Sequence, residues 1–108
     1  MTDAERWLRR NAADAPAALL DAMLGALSAD AGEAVPDALA AGALRLYHAL
    51  LHTAGGREDA LPLLAADALL THSLQAQAEV DPAGVDAFSR RWGAAGALSL
   101  LSTDAPRA

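Results

Sequence analysis

Apolar residues in this chain recur three and four positions apart, in stretches separated by clusters of Pro, Gly and Asp. That spacing matches the turn of an α-helix and predicts helices from end to end. The first is expected to open at Thr2, with Glu5 three residues on to complete a capping box, and to carry Trp7 and Leu8 before "NAADAP" interrupts it. Asp14 is the expected cap of a second helix, with Pro16 in its first turn, running to about Ala29. Leu19, Leu20, Met23, Leu24 and Leu27 form its apolar stripe, and Asp21, Gly25 and Ser28 lie opposite.

The loop "DAGEAVP" separates this from a third helix, opened by Pro36 and Asp37, running to Thr53 and stopped by Gly55 and Gly56. Its core stripe is Leu39, Ala43, Leu46, Tyr47 and Leu50. A fourth, capped by Asp59 so that Pro62 stays in the first turn, extends to about Glu79. The fifth is expected to start at Asp81 and Pro82, with Val80 and Val85 as a hydrophobic staple and Val85, Phe88, Trp92, Ala95 and Ser99 on its buried side. Gly93 and Gly96 predict a bend or break in it. The pentapeptide "AAGAL", at 40–44 and again at 94–98, is read as a packing feature, since small residues let helices approach closely.

The expected fold is all-α: an antiparallel four-helix bundle, helices 2 to 5, with a short extra N-terminal helix. Residues 1–102 are expected to form one domain and 103–108 a frayed tail. Composition agrees, because the chain is 54% hydrophobic but only 4% aromatic, so its apolar mass is Ala and Leu. No run of apolar residues is long enough to span a bilayer, and "MTDAERWLRRN" is too charged for a signal peptide's apolar segment. A cytoplasmic protein without a membrane partner is expected.

Charge and cysteine content narrow the chemistry. The formal charge is −6 and every cation is Arg, which argues against nucleic acid as a partner. With no Cys, disulfides, thiolate metal centres and Cys nucleophiles are excluded. There is no Gly-rich phosphate loop, and the HExxH zinc pattern fails because residue 49 is Ala.

Three groups of polar residues remain as candidates. Asp67 lies among leucines on a helix apolar on almost every side, so partial burial is expected, with Thr71 one turn on and within reach. Such a carboxylate could bind a cation or polar ligand; the preferred reading is a structural one, satisfied by Arg45, Arg90, Arg91, a Trp indole N–H or a cap. His48 and His52 have the i, i+4 spacing of a metal-binding pair, for which His72 or a carboxylate would be a third ligand; the preferred reading is an exposed face. The pairs Arg9–Arg10 and Arg90–Arg91 could clamp an anion, but are read as solvated helix ends.

The stretch "AADALLTHSLQ", Ala65 to Gln75, resembles the "GDALL" helix of the polyprenyl diphosphate synthases, all-helical enzymes that bind diphosphates through magnesium. The resemblance covers about a tenth of the chain, and no "DDxxD" motif accompanies it, so no site residue is carried over. The expected function is therefore noncatalytic and cofactor-free: a helical module acting through protein–protein association, as a homodimer with helix 4 or helix 5 at the two-fold axis. The alternative is a bundle binding a small ligand or metal around Asp67 and Thr71 or His48 and His52, with enzymatic activity a further option.

Overall fold

The computed structural model describes residues 1–30, 32–93 and 96–104. These form α1 (Asp3–Asn11), α2 (Ala17–Gly25), α3 (Val35–Leu50), α4 (Ala60–Val80), α5 (Val85–Trp92) and α6 (Ala97–Asp104), with 3-10 turns at Arg57–Asp59 and Pro82–Gly84. No strand occurs among the described residues, and no helix there is long and apolar enough to cross a membrane. The fold is an all-α antiparallel bundle.

The helix ends follow local chemistry, with some revisions. Thr2 caps α1 by accepting from the Glu5 N–H at 3.2 Å, and Asp81 accepts from the Ala83 N–H at 3.1 Å where the chain leaves α4. Asp14 does not cap α2. Pro16 is itself the N-cap residue, because the proline ring pushes Ala15 away from helical geometry, and α2 starts only at Ala17. It also stops at Gly25, four residues before the expected Ala29.

Asp59 precedes α4 but makes no capping bond to it; its carboxylate turns back to accept from the Thr53 hydroxyl at 2.6 Å and the Gly55 N–H at 3.0 Å. Gly55, at φ +79, supplies the left-handed residue that this reversal needs. The Val80–Val85 staple does not form, since Val80 is exposed. The predicted fifth helix is divided into α5 and α6 at the Gly93–Gly96 step, and Ala95, expected on its buried side, lies outside the described residues. Ser99 is exposed on α6. α6 reaches Asp104, so the expected tail overlaps it by two residues, and 105–108 lie outside the described residues.

Packing centres on α3 and α4. The residues buried on them are mostly small, Ala38, Ala40, Gly42 and Ala43 on α3 and Ala65, Ala66, Ser73 and Ala76 on α4, together with Leu39 and Leu69. Gly42 lies beside Leu69, Tyr47 meets Asp67, and Leu50 shares a groove with Leu63, so the two helices run antiparallel. A Cβ on Gly42 would come within 3.2 Å of Leu27 and 3.3 Å of Leu69, which is why the first "AAGAL" holds glycine where the turn after α2 meets α3 and α4.

α1 is more than an accessory. Ala4, Trp7, Leu8 and Ala12 all enter the core, and the Trp7 indole N–H donates to Glu79 at 2.8 Å, tying α1 to the far end of α4. On the other side Asp37, in the first turn of α3, accepts from the Trp92 indole at 2.9 Å and from Arg91 at 2.6 Å, both on one carboxylate oxygen. The Arg91 guanidinium stands over Phe88 and Trp92, 5.6 and 6.0 Å from their ring centres. These contacts hold α5 against the bundle.

Candidate functional site

Asp67 sits on the outer edge of α4, on the stripe that also carries Ala60, Leu63, Leu64 and Thr71, while Ala65, Ala66, Leu69, Ser73 and Ala76 face inward. It is exposed, contrary to the expected partial burial. Leu64, expected on another side of the helix, shares this edge, and only the packing of α3 decides which side of α4 is wet. The carboxylate accepts a hydrogen bond from the Tyr47 hydroxyl, not from an arginine, a tryptophan or a cap. Burial of the ring, followed by the hydrogen bond to Asp67 and its negative charge, pushes the Tyr47 hydroxyl well above its ordinary value.

Thr71 does not join that carboxylate. Its hydroxyl donates to the Asp67 carbonyl at 3.0 Å, the usual way a mid-helix threonine is satisfied. His72 lies on another side, its Nδ1 3.1 Å from Gln75 Oε1 and its ring edge-on to Trp7 at 5.8 Å. Asp67, Thr71 and His72 therefore form no common pocket.

His48 and His52 are both exposed, and their rings meet at a centre-to-centre distance of 5.0 Å with 67° between planes. Among the described residues no group of three or more His, Cys, Asp or Glu converges as a metal-binding set, so neither His72 nor a carboxylate completes this pair. Arg9 and Arg10 occupy the last turn of α1, and Arg90 pairs with Asp86 at 3.0 Å on the surface. Only Arg91 of the four reaches across to another helix.

The sequence reading anticipated that a tryptophan indole would satisfy a carboxylate but attached the idea to Asp67. The structure has two such bonds elsewhere, Trp7 to Glu79 and Trp92 to Asp37. A polar position beside an indole cannot be located without knowing which helices touch.

The surface feature that stands out is apolar. At the end of the hairpin where α3 finishes and α4 begins, Leu51 and Leu61 are each 39% exposed, Leu63 47% and Leu64 58%. Beside them runs an open groove of about 330 Å³, lined by Leu50, Thr53, Gly55, Gly56, Asp59, Ala60 and Leu63. The Asp59 carboxylate in its wall is already occupied by Thr53 and Gly55, which leaves a mainly hydrocarbon surface. Exposed Arg57 and Glu58 form part of the neighbouring turn. A smaller groove of about 80 Å³ lies between α4 and α5, lined by Leu70, Leu74, Phe88, Ser89, Trp92 and Gly93. Neither groove includes Asp67, Thr71 or a histidine.

This surface was legible only in outline. The excess of apolar sides on helix 4 pointed to it, while the large aromatic side chains are consumed within the chain: Trp7 is 6% and Phe88 3% exposed. Apart from Met1 and Val80, the large apolar side chains left exposed among the described residues are leucines. Comparison of the sequence with protein-family models and with known proteins finds no match, nor does comparison with solved structures, and the likeness of Ala65 to Gln75 to the diphosphate synthases gains no support from them.

Proposed function

We propose that this protein is a noncatalytic helical module that acts by associating with a second copy of itself through the leucine end of the α3–α4 hairpin. The observation that carries this reading is the outward exposure of Leu51, Leu61, Leu63 and Leu64 on one end of the molecule, at positions where an isolated chain would place polar residues. Ridge and groove lie side by side on that end. In a two-fold contact the same patch serves both partners, so Leu61 and Leu64 of each copy can enter the groove between Leu50 and Leu63 of the other. Arg57 and Glu58, adjacent and opposite in charge, can pair with their counterparts across the same axis. Helix α4 is then the element at the axis, and α5 keeps its place against Asp37.

Sedimentation equilibrium over a wide concentration range tests this. The parent chain is expected to move from an 11.0 kDa species to one of twice that mass as concentration rises. A double variant, Leu61→Glu with Leu64→Glu, is expected to remain at the single-chain mass with unchanged helical circular dichroism, because both side chains lie outside the core. A parent chain that stays at the single-chain mass up to millimolar concentration would overturn the proposal.

A further inference from the structure

We infer that His48 and His52 form a chelating site for a late divalent transition-metal ion, bound by two imidazoles with water in the remaining positions. The chain tightens into a 3-10-type turn beyond the end of α3. Leu51 N–H reaches the Tyr47 carbonyl at 3.2 Å, His52 N–H the Ala49 carbonyl at 3.1 Å and Thr53 N–H the Leu50 carbonyl at 3.3 Å, so the chain makes one more turn before Gly55 reverses it. The two rings nevertheless meet, their centres 5.0 Å apart.

Ring separation supplies the second argument. An imidazole nitrogen binds Zn²⁺ at about 2.0–2.1 Å, which puts the ring centre roughly 3.2 Å from the ion, so two rings on a tetrahedral ion stand about 5 Å apart. The observed 5.0 Å is that distance. Among the described residues neither ring is held by a hydrogen bond, in contrast to His72, whose Nδ1 faces Gln75. Both are exposed, so turning their nitrogens toward a common point disturbs no packing. The cation nearest in sequence on this face, Arg45, is drawn toward α2, where its Nε donates to the Ala26 carbonyl at 2.9 Å. Imidazole ligands and open water positions suit Cu²⁺, Ni²⁺ and Zn²⁺, with Cu²⁺ the tightest of these. The site does not depend on the self-association proposed above.

The test is titration of the chelator-treated full chain with Cu²⁺, followed by calorimetry and electron paramagnetic resonance. One ion per chain is expected, with two imidazole nitrogens in its equatorial set. His48→Gln and His52→Gln should each weaken binding roughly tenfold or more, since loss of one arm removes the intramolecular second step. Each should also leave a one-imidazole spectrum. His72→Gln should change neither affinity nor spectrum. The Leu61→Glu, Leu64→Glu double variant should bind as the parent does, which separates this site from the leucine interface. Copper binding indifferent to His48 and His52, a parent spectrum with a single imidazole, or loss of the site in the double leucine variant would each overturn the inference.

Discussion

Tyr47 on α3 donates its hydroxyl hydrogen to the carboxylate of Asp67 on α4, linking the middle of the hairpin at its wet edge. The chain holds one Tyr, no Cys and no Lys, so this hydroxyl is the side chain whose ordinary titration falls near pH 10. Its folded value is raised above that. An ultraviolet titration of tyrosinate should therefore show the native protein resisting ionisation past pH 10, and Asp67→Asn should bring the midpoint down.

The same pair sets a pH dependence of stability. Unfolding frees the hydroxyl to ionise at its ordinary value, so above pH 10 the unfolded state releases a proton that the native state keeps. Stability contributed by Tyr47 is present below pH 10 and declines as pH rises above it. Tyr47→Phe should flatten that alkaline decline in urea unfolding curves. Since Asp67 is exposed, Asp67→Ala near neutral pH should cost only about 1 kcal/mol.

Trp7 contributes by burial and through its hydrogen bond to Glu79, and the two can be separated. Trp7→Phe keeps an aromatic ring in the core but removes the donor, and Glu79→Ala removes the acceptor at an exposed position; each should cost about 1–2 kcal/mol. Trp7→Ala opens a cavity and should cost about 3–5 kcal/mol. Denaturant midpoints at constant slope would measure all three. Equal losses for Phe and Ala would contradict the burial of the ring.

Two glycines should respond to alanine with opposite signs. Gly25 ends α2 on the surface with nothing near the position of a Cβ, so Gly25→Ala should raise stability by about 0.4–1 kcal/mol. At Gly96 a Cβ would collide with the carbonyls of Arg90 and Arg91, backbone atoms that cannot swing aside, so Gly96→Ala should lower the melting temperature.

Asp37 joins the N-terminus of α3 to the C-terminal end of α5. Asp37→Ala deprives the Trp92 indole and Arg91 of their shared acceptor and should cost about 1–3 kcal/mol. Hydrogen exchange should quicken in α5 before it does in the α3–α4 seam.

Much of the architecture was readable from local chemistry. Thr2, Pro36, Asp81 and the Gly55–Gly56 and Gly93–Gly96 steps each act within a turn or two of their own position, and each marks a helix end. Asp14 misled because a side chain able to cap was outweighed by what Pro16 imposes on Ala15. The bonds of Trp7 to Glu79 and of Trp92 to Asp37 span 72 and 55 positions, and no periodicity encodes a partner at such range. The wet side of α4 was hidden for a related reason: with leucine on nearly every side, only the seam of alanines opposite α3 distinguishes inside from outside. The leucines left over are the basis of the proposed association, and Asp67 proved to be their neighbour on that edge.

α1 is made before any of the helices it depends on. Trp7 and Leu8 leave the ribosome while α3 and the Glu79 turn of α4 do not yet exist; at about 5–20 residues per second, the 72 positions to Glu79 correspond to roughly 4–14 seconds of synthesis. Throughout that interval α1 is a nine-residue helix with an uncovered tryptophan, too short to persist alone in water. The α3–α4 hairpin closes over only a short connection, so it can assemble as soon as it emerges, and α1, made before it, docks only afterwards.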